Sequence, residues 1–364
     1  MFSKSSLNVF GKWQTFSLRG KRSSAQTKMG KSRKIKNKKL KHMKAVVITS
    51  YGGPEVLQLK EFETPIPIAD QVLIEVKAAG LNRSDIFQRE GNYPAPAGVP
   101  ADILGLEIAG VIVGCGPQVT NFKVGDKVCA LLAGGGYAEF VSVREGQCLE
   151  IPTDLTYAEA ASLPETVFTV WSNVFQRAAL QPLETLLIHG GNSGIGITGI
   201  QLAHALGSRV VVTVGSDEKG QNCIELGADF YVNYKKQDFE KELKQEGIDV
   251  ILDMIGGDYV RKNINILKPE GRLVYINAVS GSRVDLDIWQ MMIKRLTITG
   301  STLRNRGYEF KKYLTAEVKK HVWPLLESKK LRPVIYQTFP FSEVSKGHKL
   351  LEKGTHTGKI ILVR

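Results

Sequence analysis

The sequence predicts an α/β protein of two lobes: a β-rich, partly closed barrel split around a doubly wound parallel sheet. Three observations carry this expectation. After Met43, short β-branched runs punctuated by Gly and Pro crowd the first third of the chain. From Thr185 onward, apolar strand-like runs alternate with helical segments. Between the first of these strands and its helix lies "HGGNSGIG", a turn in which glycine replaces side chains. A chain of 364 residues has the length for two domains.

The first lobe is read from "KAVVITSYG", "QVLIEVKAAG" and "EIAGVIVGCG". Val72, Ile74 and Val76 alternate with Leu73, Glu75 and Lys77, the period of a half-buried strand. "KVGDKVCALL" and "GGGYAEFVSV" continue the pattern, and Gly125-Asp126 marks a turn. Many short strands at close spacing suit a partly closed barrel. Near Thr156 the pattern becomes helical in "TYAEAASLPETVFTVWSNVFQRAAL", interrupted at Pro164. Then "TLLIHG", "RVVVTVG", "DVILDMIG", "GRLVYINAV" and "TITGST" read as strands, with helices such as "GITGIQLAHAL" and "EKGQNCIEL" between them. Strands apolar on both faces belong in a parallel sheet covered on both sides. After about Arg304 the chain turns helical, then ends in the strand "GKIILV". The expected layout is a basic tail over 1–42, the barrel lobe from 43–165 and 305–364, and the parallel-sheet lobe from 166–304.

The glycines of the turn point to a nucleotide. Gly194 to Gly199 fits G-x-G-x-x-G, after a strand and at the start of a helix, and Gly191 adds room at the turn. In that setting the backbone approaches a pyrophosphate, and the helix N-terminus offers N–H groups and partial positive charge. A site selective for NAD places Asp or Glu at the end of the second strand, for the ribose 2′-hydroxyl. This chain has Gly215 and Ser216 there, with Lys219 close behind. A hydroxyl and a cation suit the 2′-phosphate of NADPH. Asp217 and Glu218 stand against that reading unless they lie in the first helical turn, where the dipole favours them.

The bulk composition is that of a globular protein, 43% hydrophobic and 23% charged. No apolar run is long enough to span a bilayer. The net charge of +13 belongs to the tail: residues 1–42 hold thirteen Lys and Arg and no acid, and the remaining 36 basic side chains balance the 36 acidic ones. Four readings of this tail stand open: a solvated arm, an electrostatic binder of nucleic acid or a membrane surface, a mitochondrial transit peptide, or an over-extended start. A cytoplasmic homodimer is expected, or a mitochondrial matrix protein if the tail is a transit peptide. Cys115, Cys129, Cys148 and Cys223 form no C-x-x-C pair; they are expected to be small buried apolar residues.

Taken together, "GLNRSDIFQREGNYP", "LGLEIAGVI", "VGDKV", "GGGYAEFV", "SLPETVFTVW", "HGGNSGIG", "VGSDEK", "ILDMIGG" and "GKIILV" resemble the zinc-independent medium-chain dehydrogenase/reductases. Within these the chain resembles the quinone oxidoreductase (zeta-crystallin-like) family, and most closely its p53-inducible type. The resemblance runs from Met43 to the C-terminus. It implies a GroES-like barrel domain and a Rossmann domain. Zinc-dependent relatives carry a cysteine where this chain has Asn82, and a histidine where it has Leu106. With two ligands gone no metal is expected, and the chemistry left is hydride delivery to a quinone or an activated alkene. The resemblance further implies that Ser193, Gly194 and Ile195 line the pyrophosphate, with Gly191 and Asn192 of the same turn also expected at the cofactor. Gly215, Ser216, Lys219 and Tyr234 would hold the 2′-phosphate end, with Asn82, Thr169 and Leu303 near the nicotinamide. Tyr93 would line the acceptor pocket as its acid, since Phe87 replaces a tyrosine of some relatives, and Ser193 is implicated in activity. His189 is read as a packing residue. The runner-up activity is an enoyl reductase of 2-alkenals or 2-enoyl thioesters. A reading of another class is an NADPH-binding structural or RNA-binding protein.

Overall fold

The computed structural model describes residues 42–364. The basic tail and the four readings of it lie outside the described residues, apart from its last residue, His42. Among the described residues fifteen strands form three sheets. The first two, β1 (His42–Ile48) and β2 (Leu57–Glu63), pair antiparallel.

The barrel lobe is organised by one long strand, β3 (Gln71–Gly80). Along one edge it pairs antiparallel with β4 (Glu107–Cys115). Two strands share its other edge: β6 (Phe140–Arg144) covers Gln71 to Glu75, and β15 (Lys359–Val363) covers Ala78 to Gly80. The sheet continues through β5 (Lys127–Leu131) and β7 (Cys148–Glu150) on one side and β14 (Ile335–Pro340) on the other. The C-terminal strand thus closes against the start of the domain. The predicted alternation holds at Val72, Ile74 and Val76, all buried, but Leu73 is buried too, because this sheet is covered on both faces there.

The second lobe is a six-stranded parallel sheet of β8 (Thr185–His189), β9 (Arg209–Val214), β10 (Phe230–Asn233), β11 (Ile248–Asp253), β12 (Leu267–Tyr275) and β13 (Thr297–Gly300). Their spatial order, β10-β9-β8-β11-β12-β13, is that of a doubly wound dinucleotide fold. The order reverses between β8 and β11, so a crevice opens where their C-terminal ends diverge.

The helix Pro164–Val170 joins the lobes and continues as a π-helical stretch, Trp171–Arg177. Its Val167 and Val170 pack in one core with Ala109 and Leu131 of the barrel and Leu186 and Ile188 of the sheet. Cys129, Cys148 and Cys223 are buried as expected; Cys115 is exposed, because it ends β4 where the strand leaves the core. His189 is fully buried, its ring nitrogens 3.1 Å from Thr213 Oγ1 and 2.8 Å from Asn263 Oδ1, a packing histidine.

Candidate active site

A cleft of about 840 Å³ runs between the lobes. Ser193, Gly194 and Ile195, at the end of the glycine turn after β8, line part of it. Gly190 has φ +82°, a conformation that side chains resist. A Cβ on Gly191 would lie 2.6 Å from Val212, and one on Gly196 would sit against the carbonyl oxygens of Gly190 and Gly191. These glycines therefore let turn, strand and helix pack at backbone distance. Ser193 caps the helix Gly194–Ala205: its Oγ accepts from the Gly196 N–H at 3.0 Å and donates to Gly190 O at 2.8 Å. Asn192 ties the turn to the other lobe by donating to His356 O at 3.0 Å.

A second cluster forms at the end of β9. Ser216 caps the helix Asp217–Glu225, accepting from the Lys219 N–H at 3.3 Å. A Cβ on Gly215 would come within 2.7 Å of the Tyr234 hydroxyl, so glycine lets that exposed ring lie over the turn. The Lys219 ammonium reaches Gly354 O at 2.9 Å, and burial, then nearby Lys235, hold its pKa below the ordinary lysine value. Asp217 and Glu218 occupy the first helical turn. The Asp217 carboxylate is engaged by Lys236 at 2.5 Å and Asn233 at 2.7 Å, and the Lys236 bond holds its pKa low. Lys235, absent from the predicted set, adds a second cation here; its signal was the Lys-Lys pair directly after Tyr234.

The other end of the cleft draws on both lobes. Asn82, Tyr93, Thr169, Ser193, Gly194, Ile195 and Leu303 all line it. Gly191, Asn192, Gly215, Ser216, Lys219 and Tyr234 are not among its lining residues and belong to the turn and the β9 end.

Asn82 is held on both sides. Its Oδ1 accepts from Lys359 Nζ at 2.7 Å, and its Nδ2 donates to Glu107 Oε1 at 3.0 Å. The Lys359 ammonium also donates to Leu81 O at 2.9 Å and pairs with fully buried Glu107 at 2.6 Å. All three of its N–H bonds are thereby used. The second Glu107 oxygen accepts from the Glu165 N–H at 2.8 Å.

Glu165 and Thr169 stand one turn apart on the helix Pro164–Val170, and both line the cleft. Burial, then the Glu107 charge, push the Glu165 carboxyl up to about 8. Tyr93 stands nearby, with the Arg304 guanidinium 5.2 Å from its ring centre; burial raises the phenol pKa above its usual value. Glu165, Lys359 and Arg304 were missed as site residues. The available signals were a carboxylate inside an apolar helix and a lysine inside an apolar terminal strand.

Comparison with known proteins agrees with this architecture. Residues 68–153 match the alcohol dehydrogenase GroES-like domain and residues 194–320 the zinc-binding dehydrogenase family. Human quinone oxidoreductase is 30% identical over 331 residues, spanning 89% of this chain and 98% of its own. The chain belongs to the quinone oxidoreductase family of medium-chain dehydrogenase/reductases. Among solved structures, Escherichia coli quinone oxidoreductase complexed with NADPH superposes with a TM-score of 0.80 at 26% identity, covering 88% of this chain and 100% of its own. The human synaptic vesicle membrane protein VAT-1 homolog is a more distant relative, 28% identical, spanning 88% of this chain and 86% of its own.

The second family description names zinc, and the residues of this quinone oxidoreductase relative do not fit it. Buried Leu106 offers no donor atom, and the Lys359 ammonium already sits against Asn82 and Glu107. A divalent cation there would face a fixed positive charge. Among the described residues no group of three or more His, Cys, Asp or Glu is placed to hold a metal ion.

Proposed function

We propose that this chain is an NADPH-dependent quinone oxidoreductase that works without zinc, of the p53-inducible type that its motifs resemble. One observation carries the reading: a single cleft joins a glycine turn at a helix N-terminus to a pocket that holds Tyr93, Thr169 and Glu165. The turn fits a pyrophosphate, since its glycines leave room at the backbone and the helix Gly194–Ala205 presents N–H groups. Ser216, Lys219, Lys235 and Tyr234 form a cationic, hydroxyl-bearing end suited to a 2′-phosphate. NADPH bound there supplies a hydride; the protein supplies orientation and electrostatics. Thr169 and Leu303 flank the nicotinamide position. The Tyr93 phenol stands on the acceptor side, where it can donate a hydrogen bond to an oxygen that gains charge. Asn82, locked by Lys359 and Glu107, shapes the wall between the two.

A homodimer is part of the proposal. Strand β13 is an unpaired sheet edge, and the preceding helix Ile288–Lys294 buries none of its residues. On that helix and in the segment before it, Val279, Ile288, Trp289, Met292 and Ile293 are exposed apolar side chains. Sedimentation of the full chain and of Trp289→Glu should show a dimer and its weakening. Among the described residues no helix is long and apolar enough to cross a membrane.

The test is NADPH consumption against ortho- and para-quinones, enones and 2-enoyl thioesters. Turnover with quinones supports the reading; turnover confined to enoyl thioesters replaces it with the enoyl reductase. Binding of RNA without any turnover would favour the non-enzymatic alternative.

A further inference from the structure

We propose that Glu165, rather than Tyr93, is the proton donor to the acceptor once it has received the hydride. This inference rests on the hydride-transfer reading above.

The geometry singles Glu165 out. Among carboxyl groups near the cleft, Asp85 is fully buried and accepts from the Asn82 and Gly105 N–H groups and the Tyr137 hydroxyl. Glu107 is fully buried and spent on Lys359, Asn82 and the Glu165 N–H. Glu165 alone of the three lines the cleft, one helical turn from Thr169, and its carboxyl oxygens make no hydrogen bond to the described residues. Its position in the first turn of its helix would favour the anion. Its surroundings outweigh that.

Of the charged groups facing it, Lys359 and Lys311 draw its pKa down, but burial and Glu107, the two largest influences, outweigh them. Glu107 and Asp85 repel a further negative charge from the barrel side. Lys359 has its three donors occupied. Lys311, from the helix Tyr308–His321, donates to Arg304 O at 2.9 Å. Arg304 donates to Ala133 O at 2.7 Å, to Gln88 Oε1 at 2.6 Å and to Tyr93 O at 3.3 Å. Tyr93 faces Glu165 as a phenol whose pKa burial has raised. A carboxyl titrating at about 8 is therefore protonated at neutral pH, and it is a stronger acid than the neighbouring phenol.

The step balances. The hydride carries two electrons and one hydrogen to the acceptor and leaves an anion, on oxygen for a quinone and as an enolate for an enone. The Glu165 O–H bond breaks and its proton passes to that oxygen, or to the enolate α-carbon. The electron pair stays on the Glu165 carboxylate, and water entering the open cleft restores the proton. Tyr93 keeps its hydrogen bond to the oxygen throughout.

The experiment compares the unchanged full chain with Glu165→Gln and Tyr93→Phe, using one enone and one para-quinone. A general acid contributes on the order of a hundredfold or more. Glu165→Gln should lower kcat for the enone by about that factor, with KM for NADPH unchanged. In the unchanged protein kcat should fall as pH rises through about 8, where the acid loses its proton. That limb should vanish in Glu165→Gln and persist in Tyr93→Phe. An independent readout needs no turnover: infrared spectra of the unchanged protein at neutral pH should show a protonated carboxyl band that Glu165→Gln removes. Absence of that band, or an unaltered pH profile in Glu165→Gln, overturns the inference. The functional reading fails differently, as lack of quinone turnover by the unchanged protein.

Discussion

The two ends of the cleft are built by different means. After β8, Ser193, Gly194 and Ile195 reach the cleft from a glycine turn, and most of what that turn offers is backbone: glycines that open it and N–H groups at a helix start. At the far end the wall is made of side chains drawn from Leu106 just before β4, from β15, the loop after helix Arg83–Arg89, and the helix Pro164–Val170. A turn of backbone accepts any pyrophosphate and changes little with its neighbours. A wall of buried charges depends on every partner being present. Removing one group should therefore have a local effect at the first end and a spreading effect at the second.

Lys359→Met breaks this comparison most severely. It leaves the fully buried Glu107 carboxylate without its cation and frees Asn82. Loss of one partner from a buried ion pair costs about 3–5 kcal/mol. The midpoint of denaturant unfolding should drop accordingly, whether or not NADPH is present. If stability is unchanged, the Asn82–Glu107–Lys359 cluster does not hold the wall together.

At the other end the loss should stay confined to binding. If Lys219 holds the 2′-phosphate as proposed, Lys219→Ala removes a charge-assisted contact worth about 1.5–3 kcal/mol, and KM for NADPH should rise by roughly ten- to a hundredfold. NADH kinetics and stability should barely move. An equal loss for both cofactors would show that Lys219 acts through its bond to Gly354 and not through the phosphate.

How much of this could be read in advance follows the same division. The β8 turn and the Ser216 cap are contiguous stretches whose glycine and serine placement already states the geometry, and they lie where the sequence put them. The barrel was legible from β-branched alternation, although the burial of Leu73 depended on a sheet covered on both faces. The acceptor wall was not legible from spacing. Glu107, Glu165 and Lys359 meet across sequence separations that no local pattern encodes, and Glu165 in "SLPETVF" looks like an ordinary first-turn acid. Only the fold shows that its helix brings it to the cleft beside a second carboxylate. The exposed position of Cys115 was missed for a similar reason, since strand ends are fixed by pairing partners.

A smaller effect sharpens the contrast between packing and chemistry on the acceptor side. If the Tyr93 hydroxyl steadies the charged oxygen, Tyr93→Phe should lower kcat with a quinone by about tenfold. Affinity for NADPH should be unchanged. If the ring only stacks, Tyr93→Phe will be silent and Tyr93→Ala will raise KM for the quinone. Full activity of Tyr93→Ala with every acceptor would remove Tyr93 from the site.

The central claim is that one end of the cleft selects a phosphorylated dinucleotide while the other reduces a quinone. Its most direct test is kcat/KM for NADPH and for NADH, measured on the full chain with a single para-quinone. The account predicts quinone-dependent oxidation of NADPH, favoured over NADH by about ten- to a hundredfold, the worth of the Lys219 contact. Equal use of the two cofactors, a preference for NADH, or no quinone-dependent oxidation would contradict it.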